Sequence, residues 1–129
     1  MFWFMLLMKI HSFSLKARSL FDKNDFELCT TSKNLAEFLA VTTRAKIPAL
    51  SIDDALGVVE DYIQTLTVFY PNEQSFTRFT ELLSKYKPSG LRIHDFEILS
   101  LALVHQVNQV ATFDIKDFSG IEEINLISV

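Results

Sequence analysis

Cysteine occurs once in the 129 residues, and glycine and proline occur three times each. A single cysteine, Cys29, cannot form an internal disulfide, so a reducing compartment, the cytoplasm, is the expected location. It sits in an apolar, strand-like run and reads as a buried structural thiol rather than a nucleophile. The chain contains no linker, internal repeat or low-complexity tract. It also has little positive charge: 12 Lys and Arg stand against 16 Asp and Glu, for a net charge of −4. That balance excludes a broad basic footprint for nucleic acid, and leaves room for a small cleft that handles phosphate through metal ions. Long hydrophobic runs are missing too. Met1 to Met8 (MFWFMLLM) is apolar but far short of the roughly 20 residues a spanning helix needs. No basic residue precedes it and no small-residue cleavage site follows, so it reads as a buried strand or helix, with no membrane partner.

What is present points to a packed domain. Nearly half the residues are apolar (49%) and twelve are Phe, which excludes disorder and fits one domain over residues 1–129. Leu15, Ala17, Leu20 and Phe21 suggest a helix over Ser14 to Phe21, and Phe26 to Thr31 reads as a short strand. Ser32 can cap a helix over Asn34 to Thr43, where Leu35, Phe38, Leu39 and Thr42 recur at i, i+3, i+4 and i+7. Ser51-Ile52-Asp53-Asp54 is a capping-box signature before a helix over Ala55 to Gln64. Leu66 to Tyr70 is β-rich and closed by Pro71, and Glu73 to Tyr86 is an amphipathic helix on Phe76, Phe79, Leu82 and Leu83. A mostly apolar helix runs from Asp95 to about Gln106, followed by strands over Gln109 to Phe113 and Ile124 to Ser128. Strands separated by helices imply a mostly parallel sheet covered on both faces, an α/β fold.

The acids carry the functional reading. Ligands of such sheets gather outside the carboxyl ends of the strands. Asp95 opens a helix, and Asp114 and Asp117 follow a strand; capping and turn chemistry explain each of them singly. Glu37 lies one turn into an early helix, where a solvated role explains it equally well. His94 and His105 read as packing residues.

Jointly, these residues resemble a known family. Asn34-Leu35-Ala36-Glu37-Phe38-Leu39-Ala40-Val41-Thr42-Thr43-Arg44, then His94-Asp95, then Thr112-Phe113-Asp114-Ile115-Lys116-Asp117-Phe118 is similar to the PIN domain, and within it to VapC-type toxin ribonucleases. The resemblance runs from about His11 to Val129, and its strand-end motif is the most specific part. It implies a three-layer α/β/α architecture and a metal-dependent endoribonuclease, the toxin of a toxin–antitoxin pair. It implies Glu37, Asp95 and Asp114 as ligands of Mg²⁺ or Mn²⁺, with Asp117 on a second ion or a water. Thr112 would position the strand end or the attacking water. RNA would be the substrate, an antitoxin protein the partner and a homodimer the assembly. Hard oxygen ligands suit these ions, and converging carboxylates repel one another until a cation neutralises them.

One departure stands against the matches. The family opens with a strand ending in an Asp, usually within Asp-Thr/Ser-Asn, and that Asp is a central ligand. This sequence has no acid before Asp22. The first strand is therefore expected to be missing, or replaced by residues 1–9 without its ligand. Two alternatives follow: a protein whose start lies upstream of Met1, or a catalytically inactive PIN-like binding module. An unrelated doubly wound phosphoacceptor domain would need an early acidic pair and a well-placed Lys, which the sequence lacks.

Overall fold

A strand without a single polar residue suits only a place where both edges are hydrogen-bonded and both faces are covered. Phe2–Leu6, strand β1, has a parallel partner along each edge. In this computed structural model, which describes residues 2–6, 26–44, 49–112 and 115–128, the N-terminal apolar run is the middle strand of a five-stranded sheet. A strand therefore does stand at Phe2–Leu6, and it carries no acid. The helix expected over Ser14 to Phe21 lies outside the described residues.

The remaining elements follow in chain order: β2 (Phe26–Thr31), α1 (Ser32–Arg44), α2 (Ile52–Thr65), β3 (Thr67–Phe69), α3 (Glu73–Tyr86), α4 (Arg92–Val104), β4 (Gln109–Thr112), α5 (Ile115–Phe118) and β5 (Asn125–Ser128). The sheet order is β3-β2-β1-β4-β5, and all four pairings are parallel. Met5 pairs with Cys29 on one side and Val110 on the other. The chain builds outward from β1 through β2 to β3, then crosses to β4 on the opposite side of β1. The switch point lies between β1 and β4, and the crevice for a ligand opens beyond their carboxyl ends, Leu6 and Thr112.

Side chains alternate across a strand, so each strand feeds two cores. Cys29, Phe69 and Val110 point to one face, where Leu82 of α3, Phe96, Leu99 and Leu101 of α4 and Phe118 of α5 cover them. Val68, Ala111 and Ile127 point to the other, against Leu35, Phe38 and Leu39 of α1 and Val59 and Tyr62 of α2. Leu28 packs on that second face with Leu66 and Tyr62. This is the expected α/β architecture, with α3, α4 and α5 on one side and α1 and α2 on the other. Cys29 is fully buried, and that burial, helped by the charge of Glu27, pushes its thiol up to about 12. Such a thiol stays protonated and is no nucleophile.

Local chemistry shifts several boundaries. The cap of α1 is Thr31, not Ser32: Thr31 Oγ1 accepts the Asn34 N–H at 3.1 Å and donates to Asn34 Oδ1 at 2.7 Å. Ser51 does cap α2, accepting the Asp54 N–H at 3.1 Å. On α3 the capping box is Asn72 with Ser75, and the expected core residue Phe76 is 62% exposed. The buried stripe of α3 centres on Leu82, with Phe79, Leu83 and Tyr86 packed beside the core. Among the described residues no helix is long and apolar enough to cross a membrane.

A polar network ties α3 to the approach of β5. Tyr86 Oη donates to the Glu123 carboxylate and accepts the Glu122 N–H at 2.9 Å. Lys85 Nζ reaches Glu122 and Glu123 at 3.2 Å each, and those bonds raise its pKa. Burial alone would raise the Glu123 carboxyl, but the hydrogen bonds from Tyr86 and Lys85 outweigh it and hold the group below its ordinary value. Tyr86→Phe is expected to cost about 1–2 kcal/mol in urea unfolding at pH 7, the size of a hydrogen bond to a charged acceptor. A depressed carboxyl contributes stability above its unfolded pKa and loses it as the pH falls through the folded value. The gap between wild type and Tyr86→Phe should therefore narrow below about pH 4.3. A gap that stays constant down to pH 3 would remove Glu123 from this account.

Candidate functional site

The carboxyl edge of the sheet carries a cleft of about 460 Å³. It draws Lys33 and Glu37 from α1, Leu91 to Ile98 from the start of α4 (all but Ile93 and Phe96), and Asp117 from α5. Helices from both sides of the sheet therefore contribute, which is the arrangement the strand-end argument requires.

Glu37 reaches the cleft because α1 starts directly at the carboxyl end of β2, with Thr31 as both strand end and cap. Five residues into the helix, the Glu37 side chain is half-buried and lines the cleft wall. Asp95 is not the residue that opens α4. The helix begins at Arg92, Leu91 occupies the cap position, and no side chain caps it. The capping explanation for Asp95 therefore fails. Its half-buried carboxylate lines the cleft one turn inside the helix.

Asp117 does not follow a strand in an open turn but stands in the short helix α5, half-buried and facing the same cleft. Thr112 is the last residue of β4 and is 1% exposed; it does not line the cleft. Phe113 and Asp114 lie outside the described residues. Of the expected site residues, the structure thus brings Glu37, Asp95 and Asp117 to one cleft and buries Thr112 at the end of β4.

The cleft also holds groups that the motifs did not single out. Glu97 adds a fourth carboxylate and forms an ion pair with Lys33, Oε1 to Nζ 3.1 Å. Arg92 Nη2 donates to the Asp117 backbone carbonyl at 3.2 Å, and its guanidinium lies 5.9 Å from the Phe96 ring centroid. His94, expected as a packing residue, lines the cleft and is exposed. His105 does pack, stacked on Phe69 with ring centroids 4.0 Å apart. Lys33 stands four residues before Glu37, so helical spacing could have shown that they share a face. Nothing in the sequence links Lys33 to Glu97.

The donors suit a small hard cation. Glu37, Asp95 and Asp117 offer only carboxylate oxygens, the ligand type that Mg²⁺ and Mn²⁺ prefer. Among the described residues, no three Asp, Glu, His or Cys side chains form a ready-made cage. The set fits the Mg²⁺ mode, in which an ion keeps several waters and takes one or two carboxylates together with substrate phosphate oxygens.

No protein-family model matches the sequence, and no curated protein matches it either. Solved structures do match. A DNA-bound VapBC from Salmonella typhimurium aligns at 25% identity over 99% of this chain and 98% of that one, with a TM-score of 0.73. VapBC2 from Rickettsia felis, bound to a DNA fragment from its promoter, aligns at 18% identity over 98% of both chains, with a TM-score of 0.72. VapBC-1 from nontypeable Haemophilus influenzae aligns at 19% over 99% and 98%, with a TM-score of 0.71. The chain therefore has the fold found in VapBC toxin–antitoxin structures, the VapC-type, PIN-like α/β fold that its acidic motifs resemble.

Proposed function

We propose that this chain is a VapC-like toxin, a metal-dependent endoribonuclease held in check by an antitoxin protein in the cytoplasm and active as a homodimer. The observation that carries the reading is the convergence of Glu37, Asp95 and Asp117, from α1, α4 and α5, on one cleft beyond the switch point of a parallel sheet. The three residues come from helices on both sides of the sheet and line one space, with Lys33 and Arg92 among them.

Glu37, Asp95 and Asp114 would hold Mg²⁺ or Mn²⁺, and Asp117 would take a second ion or orient a water. The ion supplies Lewis-acid polarisation of a phosphodiester and activation of water. The protein's own part is to place the carboxylates and to admit an RNA backbone between them. Arg92 steadies Asp117 through its backbone carbonyl, and Thr112, buried at the end of β4, would position the strand end. Partnership with an antitoxin rests on the VapBC neighbours.

A second reading has its own observation. β1 is the central strand, yet neither Phe2–Leu6 nor the three residues after it, Leu7-Met8-Lys9, include an acid. On that reading the chain is a PIN-like module that binds RNA or antitoxin without cutting. The two separate in one assay with single-stranded RNA and Mg²⁺ or Mn²⁺. The ribonuclease reading expects weak cleavage, lost in EDTA and raised at least about tenfold by Leu7→Asp, which adds a ligand charge next to the central strand. Cleavage at background in both proteins, with RNA still bound, would establish the second reading instead.

A further inference from the structure

The two walls of the cleft belong to different layers of the molecule. Glu37 sits on α1, packed on one face of the sheet with Leu35, Phe38 and Leu39. Asp95 sits on α4, packed on the other face with Phe96, Ile98 and Leu99. Helices with a sheet between them do not pack against each other; each is held by its own core on the shared sheet, and a direct link between the two walls needs side chains that project past the sheet edge.

Lys33 and Glu97 do that. Lys33 is one helical turn before Glu37, and Glu97 is two residues after Asp95, so each half of the pair shares a rigid helix with one of the two acids. Their 3.1 Å contact closes a bridge from layer to layer across the cleft. The positive charge of Lys33 by itself opposes a cation in the cleft by Coulomb repulsion, so a loss of cation affinity on removing it would have to come from geometry.

We infer that the Lys33–Glu97 pair is a clasp: it sets the separation of Glu37 and Asp95, and through that the affinity of the cleft for a divalent cation. The inference rests on the metal-dependent reading of the cleft. Lys33 and Glu97 are positioning residues and touch no substrate. The side chains are 45% and 24% exposed, and pairs at such exposure contribute little to global stability. Small hydrated cations, by contrast, demand near-ideal ligand geometry, and shifts of roughly 0.5 Å in a ligand are felt. A clasp of this kind is nearly silent in unfolding and loud in binding.

The sign of one substitution tests it. Mn²⁺ alone is titrated calorimetrically into the full chain, with Asp95→Asn as the control that empties the site. Lys33→Met removes a positive charge from the cleft, so electrostatics alone would tighten Mn²⁺ binding a few-fold. The clasp predicts the reverse, a weakening of about five- to tenfold with a thermal midpoint within about 2 °C of wild type. The exchange of both residues, Lys33→Glu with Glu97→Lys, keeps the net charge and should return the affinity to within about threefold of wild type. Unchanged or tighter binding by Lys33→Met overturns the clasp and leaves the metal cleft standing. Should Lys33→Met fail to fold, the exchanged pair decides: binding more than tenfold weaker than wild type overturns the clasp. If the wild-type chain binds no Mn²⁺, the metal-dependent reading falls and the clasp falls with it.

Discussion

Asp95→Asn should weaken Mn²⁺ binding by at least about 100-fold while leaving the fold in place, because ligand charge governs the affinity of carboxylate sites over orders of magnitude. Asn keeps the shape of Asp and removes the charge. The clean reading of this variant depends on where Asp95 stands. As an N-cap it would also have supported α4, and its loss would confuse folding with binding. It stands instead at the fourth residue of the helix, whose cap position is taken by Leu91. Its place in the first turn is worth about 0.3–1 kcal/mol against the helix dipole. Calorimetric titration at pH 7 gives the affinity, and thermal unfolding of the same samples gives the stability. Mn²⁺ titrations of wild type and Asp95→Asn that coincide would remove Asp95 from the site, and with it the reason to read the cleft as a metal centre.

Phe96→Ala is expected to produce the largest loss of stability, about 3–5 kcal/mol. Phe96 is 1% exposed and is among the largest fully buried side chains. It packs with Leu82, Leu99 and Phe118, and its ring lies 5.6 Å from that of Tyr86. Truncation would leave a cavity between α3, α4 and α5 that this well-packed core cannot collapse to fill. A domain of this size has a total stability of about 5–15 kcal/mol, so the variant should be close to unfolding at 37 °C. Phe96→Leu should lose less than half as much, since most of the volume is kept. Urea unfolding of the three proteins measures this; a loss below about 1 kcal/mol for Phe96→Ala would show that the core repacks. Phe96 lies between Asp95 and Glu97, so the apolar anchor of α4 also aims both carboxylates.

Legibility differed from element to element. The bounds of β2 and α3 were readable to the residue, because alternation and an i, i+3, i+4 stripe are written locally. The start of α4 was not. The eye is drawn to an acid as a helix opener, and this helix begins three residues earlier with no side-chain cap. Phe76 fits the stripe of its helix and is nonetheless exposed, since spacing gives a face and not what covers it. The apolar N-terminal run could be read as a strand or a helix. That it is the central strand depends on hydrogen bonds to β2 and β4, more than twenty residues away in either case.

The sequence by itself determined the α/β class, the parallel sheet and the acids worth watching, because each rests on local periodicity or on motif spacing. It also carried the absence of an acid before Asp22. Tertiary structure alone decided that Glu37 and Asp95 approach one cleft from opposite faces of the sheet, and that Lys33 meets Glu97 across it. The physical reason is distance along the chain. Lys33 and Glu97 are brought within 3.1 Å only after both helices have packed on their own faces, and no periodicity spans that interval.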